Sequence, residues 1–122
     1  MRYAILIFTL LCHAAFATVS TDNLCSGVTS ISAVTGRPVD TPATFFAIVA
    51  GTGDVSAIIG VQGSMDNTNF DSVNIVTLSP SGTTTGIDSA TSTASRYKYY
   101  RCNVTDVTGT GATVTVTVGV QP

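Results

Sequence analysis

The chain has 122 residues, a formal net charge of −2 and 10% charged side chains, against roughly 25% in an average globular protein. Its length is that of one domain, and a pI near 4.8 excludes a basic nucleic-acid surface. All seven acidic residues are Asp and the one His is His13, so a working chain that loses its first residues has neither His nor Glu for acid–base chemistry.

Residues 1–17 have the layout of a secretory signal peptide. Arg2 supplies the positive start, an apolar run follows to Cys12, and Ala15-Phe16-Ala17 places small residues at the cleavage positions. A membrane anchor fits less well, because a span needs about 20 apolar residues and polar sequence begins at Thr18. Lipidation at Cys12 is opposed by the bulk of Leu11 before it. Cleavage after Ala17 leaves residues 18–122, a chain of 105 residues expected outside the cell or at its surface, with no membrane span.

The expected organisation is a signal peptide over 1–17, an extended arm over 18–26 and a β-sandwich domain over 27–122. The arm, with Thr18, Val19, Ser20, Thr21 and Leu24, is polar and extended in character and is a candidate donor strand for a neighbouring copy. Cys25 and Cys102 remain after cleavage, and export favours a disulfide between them. The rival reading is two separate buried thiols. Two Cys without His do not make a zinc site, and no metal or other cofactor is expected.

After residue 17 the chain reads as strands. Thr, Val, Ser and Gly dominate, with 32 Ser or Thr in 105 residues, and β-branched residues favour strands. A first strand is expected over 27–35, ended by Gly36-Arg37-Pro38. Residues 44–50 form a continuous apolar run that suits a strand buried on both faces. Gly51-Thr52-Gly53-Asp54 predicts a tight turn into 55–63, where Val55, Ala57, Ile59 and Val61 alternate with other residues. A turn over 64–71, a strand over 72–78, a loop over 79–86 and a short edge strand within 87–95 follow. Tyr100, Cys102 and Val104 share one face of the next strand; Tyr97, Tyr99, Arg101 and Asn103 share the other. Thr108-Gly109-Thr110-Gly111 predicts a hairpin turn into 113–120, where Val114, Val116, Val118 and Val120 face inward and Thr113, Thr115 and Thr117 outward. The sum is an all-β chain: one antiparallel, jelly-roll-like β-sandwich of about seven strands.

Gln62-Gly63-Ser64-Met65-Asp66-Asn67-Thr68-Asn69-Phe70, the basic aromatic stretch Arg96-Tyr97-Lys98-Tyr99-Tyr100-Arg101 and the later Gly109-Thr110-Gly111 resemble small discoidin-like or jelly-roll-like structural proteins of bacteriophages and bacterial surfaces. The resemblance covers residues 55–120. It departs at Asn67, where Gly is usual, and at Phe70, where Trp is usual. It implies a structural or surface-binding module and marks a fold, not a catalytic site. Read from the residues alone, Asp66, Asn67, Thr68 and Asn69 fix a turn through their own backbone, and Phe70 folds back as a core plug.

Candidate chemistry is sparse. Asp66, Asn69 and Asp71 are oxygen ligands in one loop, but the spacing is not that of an EF-hand and no bidentate Glu follows. Asp54, Asp66, Asp71 and Asp106 fall in separate predicted turns, so nothing brings two carboxylates together for glycan cleavage. A Ser nucleophile has only Lys98 as a base. Tyr97, Lys98, Tyr99 and Arg101 form a candidate binding or assembly surface, because aromatic rings beside charges stack on sugars or anchor partners. The plainer reading is a strand whose outer Tyr and Arg cover the sheet. The leading expectation is an exported, non-enzymatic subunit whose partner is itself, polymerising into a fibre or surface layer. The alternatives are a phage virion or decoration protein and a module that binds glycans at a cell surface.

Overall fold

The structure, a computed structural model, describes residues 20–30, 32–33, 36–38, 42–93 and 96–120. The expected signal peptide, Thr18 and Val19 lie outside these residues. Among the described residues there are seven β elements and no helix: β1 (Ser20–Val28), β2 (Ser32–Ala33), β3 (Arg37–Pro38), β4 (Ala43–Ser64), β5 (Val76–Leu78), β6 (Ser81–Ser92) and β7 (Tyr99–Val120). Every pairing is antiparallel.

Two 22-residue strands, β4 and β7, form the spine. They pair along their whole length, from Ala43 opposite Val120 to Ser64 opposite Tyr99. The first part of β4 and the last part of β7 are flanked by β6 and β1. The other part of each is flanked by β5 on one side and by β2 and β3 on the other. One sheet therefore has two halves, each about four strands wide.

The halves fold onto each other. Phe45 lies opposite Val118 in the first half, whereas Tyr100 lies opposite Gly63 in the second. Along a straight strand the 18 positions from Phe45 to Gly63 would span about 60 Å. The rings of Phe45 and Tyr100 are 6.1 Å apart. Only a chain that doubles back brings them together, and the two halves bury a single core. Phe45, Ala47, Val49, Val114, Val116 and Val118 from one half meet Ala57, Ile59, Val61, Tyr100, Cys102 and Val104 from the other.

The corner is made where two turns were expected. Residues 51–54 and 108–111 do not reverse the chain; they lie inside β4 and β7 and break the register between Ala50 and Thr52 and between Thr52 and Ser56. Gly53, Gly109 and Gly111 all have positive φ, which lets both strands bulge and bend at the same level without a Cβ clash. The two strands expected on either side of Thr108-Gly109-Thr110-Gly111 are thus one continuous strand, β7. The loop expected at 79–86 is largely the start of β6, which bends at the same corner through Thr84, at φ 63°.

Alternation survives where the segments lie flat. Val55, Ala57, Ile59 and Val61 are buried, as are Val114, Val116 and Val118. The run 44–50 is not buried on both faces: Phe45, Ala47 and Val49 point into the core, while Thr44 and Phe46 are exposed. Nothing in the described chain covers the outer side of that half. Residues 20–28 are no free arm here. β1 pairs with β7 of the same chain, Ser20 opposite Val120 and Cys25 opposite Val116, and Leu24 is fully buried.

Candidate functional site

The loop that carries the motif begins at Ser64, at the end of β4. The Ser64 hydroxyl accepts the backbone N–H groups of Asp66 (3.2 Å) and Asn67 (3.0 Å) and donates to Asp66 Oδ1 at 2.9 Å. Asp66 Oδ1 also accepts the N–H groups of Thr68 (2.9 Å) and Asn69 (2.8 Å), and its Oδ2 accepts Asn69 Nδ2 at 2.7 Å. This set of donors, the Asn69 backbone N–H foremost, holds the Asp66 carboxyl far below its ordinary value of 3.8. Asn67 sits at φ 59°, a conformation that Asn tolerates in tight turns, so the loop closes at this residue without a Gly.

The chain then returns beside β4. The N–H of Asp71 donates to the Gly63 carbonyl at 2.9 Å, and that of Ile75 to the Val61 carbonyl at 2.7 Å. This return places Phe70 outside the core. Its ring, half-buried, stacks under the Arg101 guanidinium at 4.3 Å, so it is a platform for Arg101 and not the expected core plug. The same guanidinium donates from Nε (3.0 Å) and Nη2 (2.9 Å) to Oε1 of the buried Gln62, which lies opposite it in the sheet.

The other residues of the basic aromatic stretch are also engaged within the chain. Tyr97 precedes β7 and turns inward, so it does not share a face with Tyr99 and Arg101. Its ring covers Gly63, where a Cβ would clash with the ring, and meets Tyr100 edge-on at 6.2 Å. Its hydroxyl donates to Asp71 Oδ2 at 2.6 Å. That bond lowers the Asp71 carboxyl and raises the Tyr97 phenol, each from its ordinary value. Arg96 lies 5.1 Å over the Tyr97 ring and Lys98 5.8 Å over the Tyr99 ring. Each cation of this stretch thus rests on an aromatic ring of the chain itself.

The polar groups of this site bond to one another within the chain. The carboxylates of Asp66 and Asp71, candidates for a cation, are occupied by N–H and O–H donors; Asp71 Oδ1 takes the Val73 N–H at 3.1 Å. No group of three or more His, Cys, Asp or Glu among the described residues is placed to hold a metal ion. A recess of about 420 Å³ lies at the corner, bordered by Asp54, Ser56, Ser81, Thr83 and Thr108. Its one charged lining residue, Asp54, accepts the Thr83 hydroxyl at 3.3 Å, and no second titratable group faces it there.

Sequence reasoning missed the surface formed by the outer side of β1, β7, β4 and β6. Thr44 and Thr91 face each other on it, their hydroxyls 2.9 Å apart. Phe46 lies opposite Thr117 and Ser89, and Ile48 opposite Thr115 and Ile87. Phe46 is 38% and Ile87 59% exposed, so an apolar patch lies within a hydroxyl-rich, uncharged face. The signal was Ile87 itself, a large aliphatic residue in a Ser/Thr-rich stretch.

Cys25 and Cys102 form a disulfide, and such bonds persist in oxidising compartments. No helix among the described residues is long and apolar enough to cross a membrane. Comparison of the chain with protein-family models, with curated proteins and with solved structures found no match.

Proposed function

We propose that this chain is an exported, non-enzymatic structural subunit that self-assembles into an extracellular fibre or surface layer. The observation that carries the reading is the uncharged outer face with Phe46 and Ile87 exposed among threonines. A face of this kind offers little electrostatic repulsion to a second copy. The internal use of Arg101, Tyr97, Asp66 and Asp71 supports it from the other side, because those groups serve the fold and are not held ready for a substrate. The disulfide fits an exported protein.

Negative-stain microscopy and sedimentation of the purified mature protein test the proposal. Filaments or sheets are expected at high concentration; a strict monomer at every concentration overturns it. Donation of the N-terminal segment to a neighbour has its own signature. β1 would leave its own β7, and Cys25 would then bond Cys102 of another copy. Non-reducing electrophoresis of the assembled protein separates the two routes: covalent oligomers accompany strand exchange, and monomers accompany contact between intact folds.

A further inference from the structure

We infer that the free edge of β6 joins a second copy of this chain, antiparallel and about a two-fold axis at Ile87, so that the two sheets become one. The inference rests on the self-assembly reading and names its first interface.

β6 is a 12-residue strand with β4 on one side; among the described residues no strand pairs with its other edge. Edge strands are commonly guarded by Lys, Pro, a bulge or an inward charge. β6 contains no Lys, Arg or Pro. Its bulge, at Thr84, lies at the corner and leaves the stretch from Thr85 onward regular, with continuous pairing to β4 from Thr85–Ala50 to Ser92–Ala43. Its one charge, Asp88, is half-buried and already engaged: Oδ2 accepts the Ser79 N–H at 2.7 Å and Oδ1 the Ser89 N–H at 2.9 Å. Among the described residues the edge is therefore open to backbone pairing.

A second copy fits this edge better than an unrelated peptide, because the sequence around Ile87 is self-complementary. An antiparallel register centred on Ile87 sets Ile87 against Ile87, Thr85 against Ser89 and Gly86 against Asp88. All outward side chains in that stretch are uncharged, and cross-strand aliphatic and hydroxyl pairs stabilise a sheet. A shift by one residue, centred on Asp88, would set two carboxylates face to face, which disfavours that register. The two-fold also joins the exposed patches. Ile87, Ile48 and Phe46 of one copy continue into the same residues of the other, as an isologous interface requires. A filament needs a further contact; the dimer needs only β6.

Sedimentation over a wide range of concentration, with microscopy of the same samples, tests this on the full mature protein. Ile87→Lys places two ammonium groups face to face and should weaken dimerisation on the order of tenfold or more. Val73→Lys, at a 70% exposed site in the loop that precedes β5, serves as a control and should associate like the wild type. Circular dichroism checks that both variants fold. Amide hydrogen exchange of the wild type should show protection at 85–89 rising with concentration, with β1 unchanged in the dimer. Association that Ile87→Lys leaves intact, or protection that does not rise at 85–89, overturns the inference while self-assembly stands. Dimers through β6 that never extend keep the inference and overturn the fibre reading. A wild type that stays monomeric overturns both.

Discussion

Cys25 and Cys102 are bonded across 77 residues of sequence, with their Cα atoms 6.0 Å apart, and they belong to opposite halves of the folded sheet. Cys25 stands opposite Val116 beside the first half of β4; Cys102 stands opposite Val61 in the second. The bond clasps the two layers together, in the same core where Phe45 meets Tyr100.

A loop of that length lowers the entropy of the unfolded chain, so Cys102→Ala should cost about 2–5 kcal/mol. The shift in denaturant midpoint measures it. Mass spectrometry of the unreduced protein should find the chain two hydrogens lighter than its sequence mass. Free thiols in freshly purified protein would remove the oxidising-compartment argument as well.

The bond between Tyr97 and Asp71 predicts a pH window. Asp71 is lowered in the fold from 3.8, so its contribution is present above that value and is lost as pH falls through its folded value. Tyr97 is raised from 10.0, so its contribution is full below that value and is lost as pH rises through its folded value. Melting temperature should therefore be highest between about pH 4 and pH 10 and fall on both sides. Tyr97→Phe should shrink both limbs. An alkaline limb will remain, because burial also raises Tyr100. If the pH profile of Tyr97→Phe superimposes on that of the wild type, the bond is not made in solution.

Phe45 and Phe46 are adjacent in sequence and opposite in consequence. Phe45 is fully buried between the layers, and Phe45→Ala should cost about 3–5 kcal/mol. Phe46 is 38% exposed on the outer face, and Phe46→Ala should cost less than half as much as Phe45→Ala. Paired chemical denaturation curves decide this. Equal losses would mean that the outer face is covered in the monomer, and the exposed patch would vanish as an assembly surface.

Much of the architecture is legible in the residues. The alternation at 55–61 and 113–118 names core side chains before any contact is known, and the Cys25–Cys102 bond is the expected pairing of the two cysteines that follow residue 17. The motif at 64–70 is legible as a turn because Ser64, Asp66 and Asn69 satisfy the backbone within a few residues. The basic aromatic stretch is legible as a cluster but not as an occupied one. Gln62 is 39 residues from Arg101 and Asp71 is 26 from Tyr97, and no local pattern announces partners at such distances.

What the sequence alone determined is which side chains face in along the alternating stretches 55–61 and 113–118, because the pleat of a strand makes that a period-two, local property; the faces of 44–50, Phe70 and Tyr97 were settled only by the fold. It also determined the absence of Glu and of any His beyond His13. Tertiary structure alone decided where the chain reverses. A Gly-Thr-Gly run with positive φ serves a hairpin or a bulge equally well, and the choice fell to the bulge because β4 and β7 bend at the same level and stay paired across it. The same bend set Phe45 against Tyr100, gave the five flanking strands their places, and left Phe46 and Ile87 on a face that the described chain does not cover.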